Sequence, residues 1–167
     1  MKYISLFVVL ILSAITVRAQ GPAETKAAFS TGFELAIPSA GVFSIGTGAS
    51  AKMEIPVVRP LSLSLTAGIT PMFYKSNLFG NSRTPGAAVF VPLKAGLKYY
   101  FAKSVYAEGE AGTAIETNYN KASVFAFSIG PGFIASINDK SAVDIGFRYE
   151  DWAGEVRQTA IRVAYRF

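Results

Sequence analysis

From residue 27 to its last position the chain is written in a period of two. Large apolar side chains fall on odd numbers, as in Phe29, Phe33, Leu35 and Ile37, in Leu61, Leu63, Leu65, Ile69 and Phe73, and in Val89, Val91, Leu93, Leu97, Tyr99 and Phe101. Successive side chains of a β-strand point to opposite faces, so such alternation marks strands with two unlike faces. No stretch beyond Gln20 carries a sustained helical stripe. Clusters of turn formers divide the chain into eight runs, 27–37, 43–55, 61–73, 89–101, 105–115, 123–137, 143–151 and 157–167. Of 52 odd positions in these runs, 34 are large and apolar or aromatic, and the charged ones, Asp151 and Arg157, sit at run ends. Of 44 even positions, twelve are charged, half are Gly, Ala or Ser, and six are large (Met72, Phe90, Tyr100, Tyr106, Val124, Ile134).

Two architectures share this pattern. A soluble barrel of the lipocalin kind turns its apolar face inward around a ligand, whereas a membrane barrel turns it outward into lipid and fills its inside with the polar face. Three features favour the second. The polar face is too rich in small residues for a solvent-facing surface and suits a narrow interior. Its charges cancel: Glu34, Glu54, Glu108, Glu110, Asp144 and Glu150 against Lys52, Lys94, Lys98, Arg148, Arg162 and Arg166. An enclosed space requires that balance, because an unpaired buried charge costs several kcal/mol. Finally, the outward aromatics gather at two levels, with Phe29, Tyr99, Phe101, Tyr165 and Phe167 at one rim and Phe43, Phe73, Phe125, Phe127 and Tyr149 at the other. That is the placement of aromatic girdles at membrane–water interfaces.

The connections fit an up-and-down order. Segment 74–88 is the longest and belongs to the outer end, while 56–60, 102–104 and 138–142 read as periplasmic turns. Upstream, Lys2 precedes an uncharged stretch, 3–17, that is shorter than the roughly 20 apolar residues of a membrane-spanning helix. Val17, Arg18 and Ala19 read as a signal-peptidase site, so 1–19 is a predicted cleaved signal peptide and 20–25 a short periplasmic segment ahead of a barrel over 26–167.

Composition narrows function. The chain has no cysteine and no histidine, which excludes disulfides, thiolate metal sites, Cys nucleophiles and His-based acid–base chemistry. The acidic residues are dispersed rather than clustered as oxygen ligands, so no metal and no cofactor is expected. No basic run exists for a nucleic-acid backbone to contact.

The signal peptide, the eight alternating runs and a last strand ending in Ile161, Val163, Tyr165 and Phe167 resemble the small eight-stranded outer-membrane β-barrel family of the OmpA/OmpX type. The junction Val17-Arg18-Ala19-Gln20 is similar to those of exported Bacteroidota proteins. The resemblance implies an all-β, eight-stranded antiparallel up-and-down transmembrane β-barrel with a polar, side-chain-filled lumen. It also implies that Ile161, Val163, Tyr165 and Phe167 are read by the barrel-assembly machinery during insertion. Pro71, Pro92 and Pro131 depart from the pattern, since proline removes a ladder hydrogen bond, and local bulges or displaced strand ends are expected there, with Pro131, between Gly130 and Gly132, the first candidate for a kink.

An eight-stranded barrel is only wide enough for side chains to fill it. A charge network of Glu34, Lys94, Lys98, Glu108, Glu110, Asp144, Arg148, Glu150, Arg162 and Arg166 is therefore expected to plug the lumen. A tight 102–104 turn sets Tyr100 opposite Tyr106 and Lys98 opposite Glu108, making Lys98–Glu108 a candidate ion pair. Asp144 is expected to meet Arg162 or Arg166, and Glu34 to meet Arg162 across the closing seam. Function is read as a non-enzymatic, monomeric outer-membrane barrel with a structural, adhesive or envelope-integrity role. Its loop cations Lys75, Arg83, Lys121 and Arg157 face outward, where lipopolysaccharide phosphates are the expected partner alongside outer-membrane lipid. The competing readings are a narrow ion or small-solute channel and a secreted lipocalin-like binder of an apolar ligand.

Overall fold

A computed structural model describes residues 27–39, 41–78, 85–153 and 155–167. The signal-peptide region, the 20–25 segment and Arg83 lie outside the described residues. Eight strands follow one another: β1 (Ala28–Pro38), β2 (Phe43–Val58), β3 (Leu61–Tyr74), β4 (Ala88–Tyr100), β5 (Val105–Glu116), β6 (Ser123–Asn138), β7 (Ser141–Trp152) and β8 (Val156–Arg166). Each pairs antiparallel with its chain neighbours, and β8 returns to β1, so the sheet closes into a barrel. The strands fall on all eight runs of alternation. Short turns (59–60, 101–104, 139–140) lie at one end, and connections 39–42, 75–87, 117–122 and 153–155 lie at the other.

The stagger of this closure follows from the register. Starting at Ala28, the pairing passes through Glu54, Ser64, Gly96, Glu110, Ser128, Glu150 and Gln158 and returns to β1 at Pro38, ten residues from its start. With strands about 4.7 Å apart and rising about 3.3 Å per residue, that stagger tilts eight strands by about 40° and leaves about 16 Å between opposite backbones. Every residue on this circuit is even-numbered and faces inward.

Burial is therefore inverted relative to a soluble protein. Lys98, Glu110, Asp144, Glu150 and Arg162 are buried, whereas Phe33, Ile69, Leu97, Phe125, Ile129 and Val163 are exposed. The lumen is layered. At the loop end Phe43, Met72, Phe90, Trp152 and Val156 form an apolar cap, with Tyr74 and Val124 packed against it. The ion pairs fill the middle. Tyr106, Ile134 and Ala142, with Tyr100 beside them, close the short-turn end.

Two expectations are corrected. Phe43 is not part of an outward girdle: it is buried, its ring 4.9 Å from that of Tyr74 and 6.0 Å from that of Phe90. A register shift between Phe43 and Ile45 reverses the parity at the start of β2 and turns the ring inward. The prolines also behave differently from expectation. Register shifts occur at Phe43/Ile45, Pro56/Val58 and Ser136/Asn138, and none falls at Pro71, Pro92 or Pro131. Instead the ladder passes without a rung from Gly46↔Met72 to Ala49↔Ile69, from Ala67↔Leu93 to Thr70↔Phe90 and from Ile129↔Tyr149 to Gly132↔Gly146, keeping its register each time. Each proline thus costs rungs on one side of its strand while its other neighbour stays paired.

Glycine fits the inward face where a ring crosses the backbone. A Cβ on Gly132 would strike the Tyr106 ring, whereas one on Gly109 would meet nothing within 4 Å. Gly132→Val should therefore displace Tyr106 and lower stability by about 1–3 kcal/mol, the usual cost of overpacking. Gly109→Val should stay near the native value when both are unfolded by urea in detergent micelles.

Candidate functional site

Twelve charged residues of the inward face meet within the lumen and form two alternating chains, while Glu116, also buried, stands at the loop end of β5. The longer runs Arg162, Glu34, Arg148, Glu150, Lys94, Glu110, Lys52, Glu108. Arg162 Nε lies 3.7 Å from Glu34 Oε1. Arg148 reaches Glu34 through Nη2 and Glu150 Oε1 through Nε at 2.6 Å. Lys94 Nζ stands 2.6 Å from Glu150 Oε1 and 3.6 Å from Glu110 Oε2. Lys52 Nζ bridges Glu110 Oε1 at 3.4 Å and Glu108 Oε2. The shorter chain lies nearer the short-turn end. There Lys98 Nζ sits between Glu54 Oε2 (3.1 Å) and Asp144 Oδ2 (3.2 Å), and Arg166 Nη1 is 2.8 Å from Glu54 Oε2. The first chain joins four acids to four bases and the second joins two to two, so each is neutral.

Polar neighbours take up further hydrogen-bonding capacity. Gln158 Nε2 donates to Glu150 Oε2 at 2.7 Å, Thr66 Oγ1 donates to Glu110, and Arg162 donates to Ser50 Oγ at 2.9 Å. The Tyr100 and Tyr106 hydroxyls donate to Glu54 and Asp144. Lys98 Nζ also lies 4.0 Å from the Tyr106 ring centroid, a cation–π contact between two buried side chains.

The register predicted for Tyr100↔Tyr106 and Lys98↔Glu108 is present, and so is the Glu34–Arg162 seam contact. The ion pair expected from Lys98↔Glu108 is not: Glu108 binds Lys52 of β2, and Lys98 binds Glu54 of β2 and Asp144 of β7. Asp144 likewise takes Lys98 and Tyr106, while Arg162 turns to Glu34, Ser50 and Ser30. The reason is reach. In a lumen about 16 Å across, a lysine and a carboxylate reaching in from facing walls together bridge the bore, so pairs brace those walls instead of running along one ladder. Lys52 and Glu54 carry no assigned partner in the sequence reading, yet they are central here. Their parity was the available signal.

Two small cavities interrupt the filling, each about 10 Å³, room for about one water. Glu108, whose Oε1 is unpaired, lines one of them. Trp152 and Gln158, with Nε1 and Oε1 unpaired, line the other. Neither cavity approaches the size of a small-molecule site. Among the described residues no group of three or more Asp or Glu is placed to hold a metal ion.

The four residues of the predicted assembly signal lie along the last strand and its end. Val163, Tyr165 and Phe167 are exposed on the outer wall and Ile161 is half-buried. Phe167 N donates to Phe29 O at 2.8 Å beyond the end of β8. Three of the four loop cations lie among the described residues. Lys75 is half-buried and donates to Gly41 O at 2.9 Å, and Arg157 pairs with Asp151 at 3.1 Å. Lys121 is exposed, with a left-handed φ of 50°.

No family model and no curated protein matches the chain. Solved structures do. Ail, the attachment invasion locus protein of Yersinia pestis, aligns with a TM-score of 0.59 at 13% identity over 84% of this chain and 97% of Ail. OprG, an outer membrane protein of Pseudomonas aeruginosa, aligns at 0.58 and 13% identity over 84% of this chain and 95% of OprG. A de novo designed transmembrane β-barrel aligns at 0.53 and 14% identity, covering 89% and 99%. At these identities the shared property is the fold, that of small membrane-spanning barrels.

Removing one member of a buried ion-pair chain strands its partners. Lys94→Met should lower stability by about 3–5 kcal/mol, because Glu110 and Glu150 lose a shared cation. The double variant Lys94→Met with Glu150→Gln should recover part of that loss. Urea midpoints in the same micelle compare the three proteins.

Proposed function

We propose that the chain is a non-enzymatic outer-membrane barrel with a structural, adhesive or envelope-integrity role, exported through a cleaved signal peptide and sealed against diffusion. One observation carries the reading. Twelve inward charges form two neutral chains beneath an apolar cap, and two cavities among them hold about one water each. Such a lumen offers neither a path for hydrated ions nor a pocket for a substrate. The apolar outer wall, with residues such as Phe33 at 80% exposure, calls for lipid around it.

Specificity then belongs to the loops. Ail, whose fold the chain shares, has been solved in complex with the heparin analogue sucrose octasulfate. For this chain Lys121, with Lys75 and Arg157 at the same end, supports contact with the phosphates of lipopolysaccharide.

Membrane fractionation followed by gel electrophoresis tests the placement. The protein should pellet with outer membranes and migrate faster unheated than boiled, since a folded barrel resists SDS. Recovery in buffer without detergent would favour the soluble ligand-binding reading. In planar bilayers the purified barrel should show no large steady conductance, and such a conductance would favour the channel reading. Neutralising Lys75, Arg83, Lys121 and Arg157 together should weaken retention on immobilised lipopolysaccharide.

A further inference from the structure

At the loop end Arg157 is held by Asp151, Lys75 is tied to a backbone carbonyl, and Lys121 is exposed. At the other end each of the three short turns carries an exposed cation: Arg59 between β2 and β3, Lys103 between β4 and β5, and Lys140 between β6 and β7. None of the three side chains makes an ion pair with a described residue, and Asp139 is the lone carboxylate on those turns. Because turns join alternate strand pairs, these cations stand at quarter intervals around the rim.

Their depth is fixed by what lies just above. Val57 and Val58 are each 63% exposed beside Arg59, Phe101 precedes Lys103 by two residues, and Ile137 precedes Lys140 by three. Phe29 and Phe167 stack at 6.0 Å, Tyr165 and Phe167 meet at 5.0 Å, and Tyr99 and Phe101 at 5.1 Å, a girdle on the outer wall at this end. Aromatic girdles sit at the membrane–water interface, so the turns just beyond them lie at headgroup level.

We propose that the short-turn rim is a collar for anionic phospholipid headgroups in the leaflet it faces, with Arg59, Lys103 and Lys140 as separate phosphate contacts. The proposal rests on the reading that the barrel spans a membrane. A cation held near an anionic lipid surface contributes about 1 kcal/mol, or about fivefold in affinity for each residue. Short periplasmic turns place this rim on the inner leaflet, away from lipopolysaccharide.

The test uses the full mature barrel in nanodiscs of phosphatidylcholine with a minor fraction of phosphatidylglycerol. Lipid retained on the released protein is read by native mass spectrometry. Phosphatidylglycerol should be enriched over its bulk fraction. The enrichment should fall by about a third with each of R59Q, K103Q and K140Q, since each removes one of three separate contacts, vanish in the triple variant, stay unchanged in N120Q at the loop end, and fade as salt is raised. Equal retention of both lipids, enrichment that survives the triple variant, or enrichment lost with N120Q overturns the collar. Heat-modifiable migration of each variant, recorded in parallel, shows whether the barrel has folded and inserted. A failure of the membrane reading is thereby distinguished from a failure of the collar.

Discussion

In hydrocarbon no water is available to a backbone N–H or C=O, and each unsatisfied group costs several kcal/mol. A sheet can meet that condition only by leaving no edge, and β8 pairing with β1 is where this chain meets it. Much else follows from closure at eight strands and a stagger of ten. The bore is set at about 16 Å, the even positions are enclosed, and the odd positions are left to lipid. Three prolines locally break the ladder, yet the register is kept past each, so closure survives their missing donors.

The narrow bore then dictates the interior chemistry. Charges confined there cannot borrow water, so they must be neutralised by one another. The two chains achieve this by bracing opposite walls: Lys52 of β2 on Glu108 and Glu110 of β5, Lys94 of β4 on Glu150 of β7, and Lys98 of β4 on Asp144 of β7. Glycine and small residues make room for these long side chains. Gly132 does so most directly, lying against the ring of Tyr106, whose hydroxyl serves Asp144. The apolar cap around Phe90 and Trp152, with rings 5.1 Å apart, separates the ion pairs from the loop end.

How much of this could be read in advance depends on which interactions are local. Parity is local, so the eight strands, the two faces and the enclosed charges at Glu34, Lys98, Asp144 and Arg162 were legible in the residues. The register across the tight 101–104 turn was legible for the same reason, placing Tyr100 by Tyr106. Partner choice is not local. Whether Lys98 turns to Glu108 on the next strand or to Asp144 three strands away depends on bore and stagger, which no single run encodes. Phe43 shows the second limit: one irregular position near Ser44 reverses the parity, and nothing in the alternation announces it. The prolines show a third, since a strand can lose rungs on one side without shifting.

The central claim is that, away from the register shifts, odd-numbered side chains touch acyl tails and even-numbered ones do not. The chain contains no cysteine, so single cysteines introduced at consecutive positions report on it directly. In reconstituted bilayers a lipid-phase thiol reagent should modify Leu63→Cys, Leu97→Cys and Val163→Cys while sparing Ser62→Cys and Ser64→Cys. Ready modification of the first three by a membrane-impermeant maleimide, with no reaction from the lipid phase, would contradict the account.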